Sequence, residues 1–165
     1  AFALTEACRE PQITFAVREH SFANAKDLCN SLSEYALQLG KHGHFRVVSY
    51  TQLENDAQSP SASHFHLLLN CTSVGMYPAI TDCPVSAQVV SHCEAVSDAV
   101  YNPHETRLLQ IAQELGIPAI HGMAMLVWQA AAAQEIWNGF SFRPEDMEKL
   151  VCETVEEMEK NFGRK

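Results

Sequence analysis

The sequence predicts an α/β fold, a mostly parallel sheet with helices on both faces. Three observations point there. Strand-like and helix-like segments alternate along the 165 residues. The strand segments, such as "ITFAV", "FRVVSY" and "FHLLLN", are short continuous apolar runs, as expected of strands covered on both sides. The helical segments repeat their apolar residues every three to four positions, and several end at glycine or proline.

Taken in order, Ala1, Phe2, Ala3, Leu4 and Ala7 read as the interior of an apolar helix with no capping residue before it, as if the chain begins inside an element. Ile13 to Val17 is the first strand. Phe22, Ala25, Leu28, Cys29, Leu32, Ala36 and Leu39 then recur at helical spacing, with Gly40 as terminator. "FRVVSY", from Phe45, is the second strand. "TQLENDAQSPSASH" is polar and turn-rich, a loop after a short helical piece. "FHLLLN" is the third strand, its three leucines implying deep burial. Residues 79–94 hold a loop and a short helix with Val85, Val89 and Val90. "EAVSDAVY" is the fourth strand.

"NPHETRLLQIAQELGIP" predicts a helix capped by Asn102, with Pro103 in its first position and Gly116 at its end. Leu108, Leu109, Ala112 and Leu115 form its apolar face. "PAIH" is a fifth strand. "MAMLVWQAAAAQEIWNG" is a long apolar helix. "RPEDMEKLVCETVEEMEKNF" is amphipathic, with Met147, Leu150, Val151, Met158 and Phe162 inward. No repeat and no linker divides the chain, so residues 1–165 read as one domain.

Composition narrows the function. A hydrophobic content of 47% supports a real core. The net charge of −9 argues against nucleic acid, which wants clustered Lys and Arg. No apolar run approaches the roughly 20 residues of a membrane span. Six scattered cysteines with no C-x-x-C pair read as small buried residues in a reducing, cytoplasmic setting. His42/His44 and His64/His66 share strand faces, but no further ligands accompany them, so no metal is expected. No G-x-S-x-G elbow supports a serine hydrolase.

In an open parallel sheet, ligands lie beyond the carboxyl ends of the strands. There the sequence places Arg18, Glu19, His20 and Ser21; Asn70, Cys71, Thr72 and Ser73; Tyr101 and Asn102; His121 and Gly122. These small or hydrogen-bonding groups, with one cation, suit a polar, partly anionic small molecule. The same residue types also serve ordinary turns.

Three stretches carry a resemblance. "NCTSVGMYP", "SDAVYNPHETRLLQIAQELG" and "HGMAMLVWQAAAAQEIWNG" resemble, in order and near spacing, motifs of the shikimate/quinate dehydrogenase family. These are an Asn-x-Thr-x-x-Gly-Met turn, an Asp-x-x-Tyr-x-Pro-x-x-Thr segment, and a Gly-led helix with Met-Leu-x-x-Gln ending in Trp-x-Gly. The resemblance implies the C-terminal, Rossmann-like NAD(P)-binding domain, with its first strand and glycine-rich turn missing; the seven glycines are dispersed. It implies hydride transfer between NADP, or NAD, and 3-dehydroshikimate/shikimate, with shikimate or quinate as substrate. The family's proton-transfer lysine and aspartate belong to the other domain, so no catalytic residue is assigned here.

Arg18 resembles the arginine that contacts the 2′-phosphate of NADP, as its two-pronged guanidinium suits. Glu19 beside it favours a ribose diol, hence NAD, and leaves the preference open. Thr72, Ala99, Gly122 and Met125 resemble residues around the nicotinamide. Tyr101 and Gln129 resemble substrate-side residues, and Gln129 can read a diol because an amide both donates and accepts. Asn70 is expected to tie its own loop to the backbone. In the family, the helices over residues 123–165 pack towards the substrate domain. The resemblance therefore implies a bare apolar face on the last helix, an open sheet edge and self-association of this chain. A stand-alone, non-catalytic nucleotide-binding or interaction module is the alternative.

Overall fold

A computed structural model describes residues 1–59 and 62–162 of the chain; the inward placement expected for the Phe162 side chain lies outside the described residues. The chain forms two compact units, Ala1–Ala62 and Ser63–Lys165.

The first unit runs α1 (Phe2–Ala7), β1 (Gln12–Val17), α2 (Phe22–Gln38), β2 (His44–Ser49) and α3 (Tyr50–Ala57). β1 and β2 are parallel, from Gln12 opposite His44 to Val17 opposite Ser49. A parallel pair needs a long crossover, and α2 supplies it. Ala25, Cys29, Leu32 and Ala36 form its buried stripe, and Gly40 ends the segment at φ +69°. Tyr50, read as strand, instead starts α3, because the Ser49 hydroxyl accepts the Gln52 N–H and caps a helix there.

The apolar N-terminal segment is helical, as expected, and largely exposed. Only Thr5 of α1 is buried, while Phe2 and Leu4 are exposed. This six-residue helix packs one side on α2, with the Phe2 ring edge-on to Tyr35. Its C-terminal end is held by Lys41. The Nζ of Lys41 donates to the carbonyls of Thr5 (3.1 Å), Glu6 and Cys8 (2.8 Å), satisfying acceptors that a helix end leaves open.

The second unit runs β3 (Leu68–Asn70), α4 (Ala87–Val90), β4 (Val96–Asp98), α5 (Arg107–Glu114), β5 (Ala119–Ile120), α6 (Gly122–Asn138) and α7 (Pro144–Phe162). Its three strands are parallel in the order β3-β4-β5. β3 is shorter than "FHLLLN" suggests; Phe65 makes only an isolated bridge to Cys93. Nor is the leucine run deeply buried, since Leu67 and Leu69 are 39% and 42% exposed. β3 is one of the two edge strands of this sheet, and residues two apart along a strand share a face.

The α5 helix corrects the predicted capping. Its cap is Thr106, not Asn102, and Pro103 lies outside the helix. Residues 101–106 stay a loop because the Thr106 hydroxyl is anchored to the Asp98 carboxylate, which fixes where helical turns can start. The buried face is Leu108, Leu109, Ile111 and Ala112; Leu115 falls at the cap and is exposed.

Met123, Val127 and Ala131 of α6 form a small core with Met147, supported by Leu126, Phe142, Val151, Val155 and Met158. The apolar face of α7 is therefore not bare; it packs on α6. Leu150 sits at the edge of the stripe and is exposed. The most exposed large apolar residues among those described are on α6 instead, where Ile136 and Trp137 are 82% and 74% exposed. Among the described residues, no helix is long and apolar enough to cross a membrane.

Of the six cysteines only Cys29 and Cys93 are buried; Cys83 is intermediate, and Cys8, Cys71 and Cys152 are exposed, against the expectation of small buried residues. Burial raises the Cys29 thiol pKa and pushes that of Cys93 up to about 11. Alkylation of the native chain followed by peptide mass mapping should label Cys8, Cys71 and Cys152 first and Cys93 last. Early labelling of Cys93 would contradict its place in the core.

Candidate functional site

The parallel register brings three strand ends of the second unit together. Asn70 lies opposite Asp98, and Ser97 opposite Ile120. The turn after each strand therefore opens on one rim.

A buried carboxylate organises that rim. Asp98 is 1% exposed. Its Oδ1 accepts the Asn70 side-chain N–H (2.9 Å) and the Val100 backbone N–H (2.9 Å), and its Oδ2 accepts the Thr106 hydroxyl (2.7 Å). An unpaired carboxylate would be costly at this depth, and three short donors offset its lost hydration. Asn70 extends the network. Its Oδ1 accepts the backbone N–H (3.0 Å) and hydroxyl (2.7 Å) of Thr72, and its Nδ2 also donates to the Val74 carbonyl (3.2 Å). The Thr72 oxygen in turn accepts the Val74 N–H. The expected loop-tying role of Asn70 is met, and the Thr72 hydroxyl is engaged in the same turn.

Gly122 shows why a residue without a side chain stands at the start of α6. A Cβ there would lie 2.5 Å from the Val100 carbonyl oxygen and 2.8 Å from those of Ala99 and Asp98. Three backbone carbonyls fill the space, so the helix can meet the end of β4 only through glycine. Ala99 is tied to the neighbouring strand by its N–H to the Asn70 carbonyl (3.0 Å).

The structure thus brings Thr72, Ala99 and Gly122 onto one rim. Tyr101 follows two residues after Ala99 and is 43% exposed. Met125 and Gln129 stand one turn apart on the solvent side of α6. Arg18 and Glu19 belong to the first unit. They are exposed at the carboxyl end of β1, where Arg18 precedes a short 3₁₀ turn over Glu19–Ser21. Among the described residues Arg18 has no ion-pair partner. No group of three or more His, Cys, Asp or Glu among the described residues is placed to hold a metal.

Comparison with known proteins gives the rim its context. No protein-family model matches the chain. It is 35% identical over 123 residues to a shikimate dehydrogenase (NADP(+)) of Clostridium perfringens, a match covering 72% of this chain and 43% of that protein. The shikimate 5-dehydrogenase of Listeria monocytogenes, solved in complex with shikimate and NAD, superposes with a TM-score of 0.68 at 26% identity. That match covers 90% of this chain and 49% of the other. A shikimate dehydrogenase solved with NADP+ superposes with a TM-score of 0.65 at 28% identity, over 87% of this chain and 47% of the other.

The chain belongs to the shikimate dehydrogenase family.

It spans less than half the length of the curated relative above, and its α/β fold with parallel strands matches the family's NAD(P)-binding domain. Within this family member, Asp98 and Thr106 are the residues that sequence reading quoted in a motif but gave no role. The signal was an acidic residue closing an apolar strand with a hydroxyl eight positions later.

Two variants test the rim. Asp98→Ala leaves three donors without their acceptor, and Gly122→Ala forces a methyl into three carbonyls. Each should lower unfolding free energy by about 2–4 kcal/mol, read by urea denaturation. A change under about 0.5 kcal/mol in either would show that the rim is not held as described.

Proposed function

We propose that this chain is the dinucleotide-binding part of a shikimate/quinate dehydrogenase. Reversible hydride transfer between NADP(H), or NAD(H), and 3-dehydroshikimate/shikimate would then be the activity of the whole protein. The observation that carries this is the rim itself: three strand ends in register, closed by a glycine whose missing side chain lets a helix start beside them. A flat ring needs such a surface of small groups and backbone.

Each unit carries residues whose chemistry suits one part of a dinucleotide. Thr72, Ala99 and Gly122 offer backbone and a short hydroxyl to a nicotinamide, with Met125 packing beside it. Arg18 offers a free guanidinium to a 2′-phosphate, and Glu19 offers a carboxylate to a ribose diol. No glycine-rich turn is present for the diphosphate. The cofactor supplies the hydride chemistry. The chain orients the ring, and Tyr101 and Gln129 hold the substrate hydroxyls on the opposite side. By the family resemblance, the lysine and aspartate that move the proton at the reacting oxygen belong to the substrate domain, so the chain is expected to be inactive alone.

The test is a fluorescence titration of the purified chain with NADPH and NADH, beside an absorbance assay for shikimate oxidation. Weak saturable binding without turnover is expected. Arg18→Ala should weaken NADPH binding about tenfold or more and leave NADH unchanged, as loss of a charge-assisted contact predicts. Turnover by the isolated chain would refute its inactivity. Tight binding without turnover would favour the stand-alone, non-catalytic module.

The bare residues of α6, Trp128, Ile136 and Trp137, favour self-association of the isolated chain. Light scattering should show mass rising with concentration; a constant monomer mass would count against it.

A further inference from the structure

His104 and His121 are stacked, with ring centroids 4.4 Å apart and planes 16° from parallel. His104 lies in the loop between Tyr101 and Thr106. His121 is the residue on which α6 begins, and its side chain caps nothing. Instead its Nδ1 lies 3.1 Å from the His104 carbonyl oxygen. That oxygen can only accept, so Nδ1 of His121 carries the hydrogen. The Nδ1 of His104 is buried and has no hydrogen-bond partner. A proton there would be a buried donor with no acceptor.

We propose that this stacked pair is a proton-operated clasp: neutral, it holds loop 101–106 against the start of α6; protonated, it lets the loop go. The elements it joins lead directly to Tyr101, Gly122, Met125 and Gln129. The rest of the loop is held separately, by Thr106 on Asp98 and by the Tyr77 N–H on the Asn102 carbonyl, so release is local. The clasp stands on the second unit alone and does not depend on what the rim binds.

The neighbouring charges oppose one another. A second cation on His121 would repel one on His104 and would sit at the positive end of the α6 dipole. Glu105 in the loop and Glu159 on α7 pull towards protonation, but both are exposed and screened. Burial, reinforced by His121, wins and holds His104 below its ordinary 6.5. A histidine held low in the closed state binds its proton more readily in the open one. The closed state is therefore fully favoured above pH 6.5 and loses ground as pH falls below it.

The experiment is an NMR titration of the histidine ring signals of the intact chain between pH 8 and 5, with amide exchange of residues 101–105 corrected for its intrinsic pH dependence. The expected result is a His104 ring that titrates below 6.5. The loop-opening constant should rise towards about tenfold per pH unit, as uptake of one proton dictates, while β4 and α5 amides stay protected. His104→Phe keeps a flat ring and should abolish the pH dependence. Titration of His104 at or above its ordinary 6.5, constant loop protection, or loss of β4 and α5 protection together with the loop would each overturn the clasp; the wild-type titration decides even if the variant does not fold.

Discussion

The second unit depends on one buried charge. Asp98 closes an apolar strand at a depth where a lone carboxylate would be untenable, and it survives because Asn70, Val100 and Thr106 each give it a hydrogen bond. Those donors come from the neighbouring strand, from its own turn and from the cap of the next helix. A group that must be satisfied from three directions fixes three segments at once. The starts of the turn at Thr72, of the loop at Tyr101 and of helix α5 all follow from it.

Gly122 completes the same corner by exclusion rather than attraction. Where Asp98 draws donors inward, the carbonyls of Asp98, Ala99 and Val100 point at the space a side chain would need. The chain therefore meets α6 backbone to backbone. One surface results from both constraints, short in side chains and rich in peptide groups, which is what a planar ligand at the carboxyl end of a parallel sheet requires. The stacked histidines lie beside that corner and give it a proton-sensitive support that neither constraint supplies.

The first unit follows different rules. Its strand pair is joined by a long crossover helix with a clean stripe of small and apolar residues, and its N-terminal helix is finished by a lysine from elsewhere in the unit. Arg18 and Glu19 stand side by side at a strand end with opposite implications for a nucleotide's ribose. A cation attracts a phosphate and a carboxylate repels it, so the two side chains pull in opposite directions.

By itself the sequence determined the alternation of strands and helices, the parallel pairing and the order of the motifs. These rest on local periodicity and on glycine at Gly40, Gly116 and Gly139, where φ is positive. The family was legible for the same reason, since Asn70, Tyr101, Gly122 and Gln129 keep their spacing. Only the tertiary structure decided what each position does. Asn102 and Pro103 have the chemistry of a helix start, yet Thr106 caps α5 because a carboxylate 8 residues away in sequence takes its hydroxyl. Three leucines in a row read as deep core, yet β3 lies at a sheet edge. The pairing of two histidines 17 positions apart gave no signal until the fold stacked their rings. Local pattern reports what one segment prefers; burial, edges and long-range hydrogen bonds are properties of the segments it meets.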